Sequence, residues 1–195
     1  MSKLMILLTL LGLTLLGLAG VAGARENIEV LARTCNGCHG IDGVSAGASI
    51  PSIGGLPRDY LRTVMKQWKY DERDSVTMGR IIKGFSDDDI DALSSHFARK
   101  PWVPIRQSAP ATLLAHGGKI AEDNCRDCHG QTGNDPDVDA PRINGQWAKY
   151  MELELMKYRS KEFKLPHRRM GKAANRMKRA ADADGVAAYY GAQGR

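Results

Sequence analysis

Two short stretches carry side chains whose spacing could do chemistry: Cys35-Asn36-Gly37-Cys38-His39 and Cys125-Arg126-Asp127-Cys128-His129. Two thiols three positions apart on one helical turn can add across the two vinyl groups of a single haem. The imidazole that follows is then held under the iron as its proximal ligand. Other uses of such pairs fit poorly. A zinc site built from two C-x-x-C pairs separates them by about 15–20 residues, whereas 86 residues lie between Cys38 and Cys125. A thioredoxin-like pair needs a strand–helix–strand setting, and no strand pattern surrounds either stretch. Two disulfides would not call for a histidine after each pair. The expectation is two covalently bound haem c groups (iron), on Cys35, Cys38, Cys125 and Cys128, with His39 and His129 as metal ligands.

The chain repeats itself around these stretches. Cys35 and Cys125 are 90 residues apart, and at the same offset Pro51 matches Pro141, Ile53 matches Ile143, Gly55 matches Gly145, Tyr60 matches Tyr150 and Trp68 matches Tyr158. Further on, Met78 finds Met170 at an offset of 92, and Phe97 pairs with Tyr189 or Tyr190, so the second copy carries a small insertion. Each copy predicts the same order of elements. A short helix leads into the motif, over 26–34 and again over 113–124. A Gly-rich loop with a proline follows, then a helix over 60–70 or 147–160, then a methionine-bearing loop, then a closing helix. In the first copy Ser86 is a good N-cap, and Asp87, Asp88 and Asp89 suit the positive end of the helix dipole. Ile90, Leu93 and Phe97 give that helix an apolar stripe. Pro101, Pro104 and Pro110 mark a linker. The resulting division is a leader over 1–24, one domain over 25–100, a linker over 101–110 and a second domain over 111–195.

A soft thioether on a loop is a natural distal ligand to haem iron, although methionine is more often core filler. Met65, Met151 and Met156 sit on predicted helices and read as packing. Met78, in Thr77-Met78-Gly79, and Met170, in the matching segment, read as the distal ligands. For the second iron Met177 and His167 are rivals. Met177 matches Phe85 in the repeat, a packing position, and His167 has no counterpart in the first copy.

The amino terminus reads as an export signal: basic Met1-Ser2-Lys3, an uncharged leucine-rich run from Leu4 to Leu18, then small Ala22-Gly23-Ala24. Cleavage after Ala24 would leave a mature chain with no membrane span, since the run is short of the roughly 18–20 apolar residues that crossing needs. Export implies a periplasmic location. The formal net charge of +6 is unevenly placed. Between Lys157 and Arg179 stand ten basic residues and a single acid, Glu162. Nucleic acid is an unsuitable partner outside the cell, so this run is expected to meet an acidic protein near the distal side of the second haem.

On these motifs the chain resembles the dihaem class I cytochromes c, with two such domains in tandem as in cytochromes of the c4 kind. The likeness spans essentially the whole mature chain. The segment Thr77-Met78-Gly79-Arg80-Ile81-Ile82-Lys83-Gly84-Phe85-Ser86 is similar to the distal-methionine segment of the cytochrome subunit of flavocytochrome c sulfide dehydrogenase, as are Pro51-Ser52-Ile53 and Gly145-Gln146-Trp147. The resemblance implies an all-α fold of two cytochrome c domains related by a pseudo-repeat, with axial ligands His39, Met78, His129 and Met170. It also implies electron transfer, with a flavoprotein subunit or other redox proteins as partners and no catalytic residue of the chain's own. The second distal segment departs from the family in being unusually basic. A free shuttle to a terminal oxidase or reductase would use the same haem sites. A peroxidase would need an open iron, which two distal methionines would close, and no G-x-G-x-x-G flavin fingerprint follows a strand.

Overall fold

The computed structural model describes residues 28–136 and 140–194, and every regular element among them is helical. The expected leader over 1–24 lies outside the described residues. None of the described helices is long and apolar enough to cross a membrane.

The first helix, α1, runs over 28–39 and carries the first Cys-x-x-Cys-His in its last turns. Its apolar residues Ile28, Leu31, Ala32 and Cys35 recur at i, i+3, i+4 and i+7, which places them on one face. That face packs on a core of Leu56, Leu61, Leu93 and Phe97. A 3-10 turn, Ile41–Gly43, follows. Then come α2 (Arg58–Lys69), α3 (Met78–Ile82) and α4 (Asp87–Ala98). Ser86 caps α4 as expected: its side chain accepts from the Asp89 N–H at 3.0 Å, while the Asp89 carboxylate accepts from the Ser86 N–H at 2.9 Å. The reciprocal pair satisfies two donors that a bare helix start would leave open.

The second half repeats this plan with α5 (Ala111–Asn124), α6 (Arg126–His129), α7 (Ala148–Arg159), α8 (Arg168–Arg176) and α9 (Ala180–Gly191). Its core gathers Ala121, Met151, Leu155, Ala174, Met177, Ala183, Val186, Ala187 and Tyr190. Helices α5 and α9 cross in near-backbone contact, because a Cβ added at Gly117 would stand 1.8 Å from the Gly185 carbonyl oxygen. Small residues at both positions let the helices approach this closely.

The repeat extends to individual hydrogen bonds. Ile53 N–H donates to the Gly43 carbonyl at 2.8 Å, and Ile143 N–H donates to the Gly133 carbonyl at 2.8 Å. Gly43 and Gly133 hold φ values of 78° and 79°, a region costly for a side chain with a Cβ. Gly55 N–H donates to the Phe97 carbonyl and Gly145 N–H to that of Tyr190, both at 2.9 Å. The partner of Phe97 in the repeat is therefore Tyr190. Each of these rings is almost wholly buried and stabilises its half by roughly 1.5–3 kcal/mol on transfer from water.

The methionine segments are not the loops that the sequence predicts. Met78 is the first residue of α3 and Met170 lies inside α8. Both segments carry residues that read as breaks, Gly79 and Gly84 in the first and Pro166 and Gly171 in the second, yet the chain is helical at each methionine. Each methionine N–H also finds a side-chain acceptor: Met78 N–H donates to Ser75 Oγ at 3.1 Å, and Met170 N–H donates to His167 Nδ1, the N-cap of α8, at 3.3 Å. Of the methionines read as packing, Met65 and Met151 join the two cores, but Met156 is 53% exposed.

The halves meet along a polar seam. The Gln146 side chain clamps the backbone of Ser52 on both sides, with Oε1 accepting from its N–H at 3.0 Å and Nε2 donating to its carbonyl at 2.9 Å. Trp147 Nε1 donates to the Ser45 carbonyl and Trp102 Nε1 to that of Asn144, each at 3.0 Å. At the 90-residue offset Gln146 stands where the first half has Leu56, a core residue. The repeat is broken where the seam needs hydrogen bonds.

Candidate functional site

Both motif histidines are buried and held in one way. His39 Nδ1 lies 2.8 Å from the Pro51 carbonyl oxygen, and His129 Nδ1 lies 3.1 Å from that of Pro141. A carbonyl can only accept, so Nδ1 carries the proton in each ring and Nε2 keeps its lone pair. Burial also lowers both pKa values, which holds the rings neutral, as a metal ligand must be. The two prolines are those that the repeat pairs.

The cysteines flank these rings on α1 and around α6. Cys38 and Cys128 are exposed, Cys35 and Cys125 half-buried, and all four are free thiols. Burial pushes the Cys35 thiol up, and the Cys125 thiol up to about 12. Burial thus disfavours the thiolate form at both.

In the second half Cys125, Cys128, His129 and Met170 all line one cavity of about 510 Å³, a volume within the range for bound cofactors. His167 lines it as well, but its Nδ1 serves as the cap that accepts from Met170 N–H. Met177 is packed in the core, 4% exposed, beneath α8. For the first half the structure places Cys35, Cys38 and His39 on α1 and Met78 at the head of α3, which packs on α2.

The cavity reaches across the seam, a feature the sequence reading missed. Tyr60, Thr63, Val64 and Gln67 of α2, with Arg73 beyond it, line its far side. Arg73 is 8% exposed, donates to Tyr158 Oη at 2.9 Å and stands 3.9 Å from Glu154. Tyr60 and Tyr150 could have been suspected from their match in the repeat. Arg73 carries no signal in sequence, where it reads as one more loop cation.

The chemistry of this lining suits a flat, largely apolar macrocycle with acidic substituents. Leu155, Val186, Ala187 and Ile143 supply apolar walls. Arg73 and Arg169 bring positive charge to the same lining.

Known structures share this fold at low sequence identity. No protein-family model matches the chain, and no curated protein sequence does. Reduced recombinant cytochrome c4 from Pseudomonas stutzeri superposes with a TM-score of 0.73 at 19% identity, over 86% of this chain and 97% of that one. Cytochrome c4 from Acidithiobacillus ferrooxidans gives 0.70 at 22% identity, over 81% and 98%. Thiosulfate dehydrogenase (TsdBA) from Marichromatium purpuratum gives 0.72 at 22% identity, over 80% of this chain and 36% of that one. The all-helical fold of this chain is thus that of tandem class I cytochrome c domains.

Proposed function

We propose that the chain is an exported dihaem electron carrier, with one haem c held by each half. The observation that carries this reading is the duplicated ligand geometry: a buried neutral histidine, oriented by a proline carbonyl, directly after a Cys-x-x-Cys pair. Cys35, Cys38, Cys125 and Cys128 would hold the groups covalently, His39 and Met78 would ligate the first iron, and His129 and Met170 the second. When bound, each group supplies one reversible electron between ferric and ferrous iron. Pro51 and Pro141 fix the imidazole tautomers, which leaves Nε2 as the only ring atom able to ligate. Arg73 and Arg169, which line the second site, would set positive charge beside propionate oxygens. Leu155, Val186 and Ala187 exclude water from the second site, which favours a stable potential over reactions with solvent. The domains would be 25–100 and 111–195, joined by 101–110, after a cleaved leader over 1–24 that delivers the chain to the periplasm.

The donor in this reading is a flavoprotein dehydrogenase of the sulfide-oxidising kind, supported by the segment from Thr77 to Ser86. A free shuttle is the second reading, favoured by superposition over nearly the full length of two cytochromes c4. The test is expression with cytochrome c maturation factors, followed by a pyridine haemochrome assay on the denatured chain. Two haems per chain are expected, and one or none would refute the assignment. A flavin-containing chain that copurifies in stoichiometric amount would favour the subunit over the shuttle.

A further inference from the structure

The two methionine-bearing segments, equivalent in the repeat, meet solvent in unlike ways. Around Met78 the exposed side chains are mixed: apolar Val76 (73% exposed) and Ile81 (46%) stand among Asp74, Thr77, Arg80 and Lys83, so charge of both signs is present. The nearby Lys83 is paired with Asp71 at 2.7 Å. Around Met170 the surface is cationic. Helix α8 turns Met170, Ala173, Ala174 and Met177 inward, to the cavity or the core. Arg168, Lys172 and Arg176 recur every four residues and are exposed.

Much of the basic run is already engaged. Lys157 pairs with Glu154, Lys164 donates to the Asp71 carbonyl, and Arg179 pairs with Asp182. Arg168, Lys172 and Arg176 make no ion pair among the described residues. The stripe also opposes the stability of its own helix. Arg168 and Arg169 occupy the first turn of α8, which has no acid, so two cations sit at the positive end of the dipole. Helices α4 and α9 do the reverse, with Asp87, Asp88 and Asp89 in one first turn and Asp182 in the other. An arrangement that weakens the element and lacks internal partners points outward.

We propose that the outward stripe of α8, Arg168, Lys172 and Arg176, docks an acidic redox protein against the second half. The proposal rests on the electron-carrier reading. A helix is about 10–12 Å across with its side chains, so a partner on this stripe stands one helix away from the cavity. Transient redox encounters are small, and complementary charge raises their on-rate. A lipid surface fits less well, because an interfacial helix needs an apolar face to insert, and that face of α8 is already buried.

The test uses oxidised holoprotein and an oxidised acidic flavodoxin as the probe, so that binding is read without electron transfer. Amide chemical shifts are followed during titration at low salt. The expected shifts cluster on residues 167–179, and affinity falls at least tenfold as ionic strength rises to about 0.1 M, where the Debye length is near 10 Å. The R168E/K172E/R176E variant should bind at least tenfold more weakly. An R33E/R99E/K119E control, with the same change in net charge elsewhere on the surface, should keep most of the affinity. Equal losses in both variants would reduce the effect to net charge and overturn the proposal. So would shifts centred on Val76 and Ile81, or stripe-dependent binding to phosphatidylglycerol vesicles with none to flavodoxin. Reduction of both haems by dithionite checks the carrier reading separately.

Discussion

At the residue scale the account rests on what a side chain can donate, accept or ligate. The cysteines and histidines were legible in the sequence because their chemistry demands fixed spacing. The orienting prolines were visible only as a match in the repeat, and their role emerged when each carbonyl met an imidazole Nδ1. Distal ligation has no motif. The sequence read Met170 as the ligand, with Met177 and His167 as rivals; in the fold Met170 and His167 both line the cavity, and Met177 is packed in the core. Met78→Ala and Met170→Ala should each abolish one methionine-to-ferric-haem charge-transfer band and lower one of the two reduction potentials. Axial ligands are the lever that spreads haem potentials over about 0.8 V. Met177→Ala should leave both bands in place and instead destabilise the second half by about 2–5 kcal/mol, the usual loss for truncating a buried methionine. A lost band in Met177→Ala with none lost in Met170→Ala would reverse the assignment.

At the scale of elements, helices α2, α4 and α7 and the cap at Ser86 follow from apolar spacing and terminal residues, so sequence and structure agree to within a few positions. The methionine segments did not read as helices because Gly79 and Gly84 punctuate the first and Pro166 and Gly171 the second, and because a histidine, not a usual N-cap type, caps α8. The start of α9 offers a test through pH. The Asp182 carboxylate accepts from the Arg179 backbone N–H at 3.0 Å and from the Arg179 guanidinium at 2.9 Å, and lies 3.0 Å from His116 Nε2 on α5. These bonds, the backbone one foremost, lower its pKa from 3.8 to about 2. A depressed carboxylate stabilises the fold fully above its unfolded pKa, and that contribution fades as pH falls through the folded value. Asp182→Asn should therefore lower the melting temperature at neutral pH, and the gap to the parent protein should close between pH 4 and pH 2. A gap unchanged at pH 2 would show that the charge contributes nothing.

For the whole molecule, two homologous halves were legible from the repeat, but their joint was not, because the seam is made where the repeat fails. Gln146 replaces the equivalent Leu56, and Arg73 crosses into the cavity of the other half. A glutamine is unremarkable in a sequence until both its ends are seen to hold one buried backbone. Gln146→Ala would leave the Ser52 N–H and carbonyl without partners, and each buried group orphaned in this way costs about 1–3 kcal/mol. Denaturant unfolding of the holoprotein should show a loss of that order, whereas a change under 0.5 kcal/mol, about what a neutral surface substitution gives, would remove the clamp from the account. The central claim, two histidine–methionine haem sites in one chain that carry electrons, is tested most directly by a spectroelectrochemical titration of the purified holoprotein. The account predicts two reversible one-electron steps per chain, each with a c-type spectrum and each losing a methionine charge-transfer band on reduction. A single step, or a haem that binds added cyanide as readily as an open iron does, would contradict it.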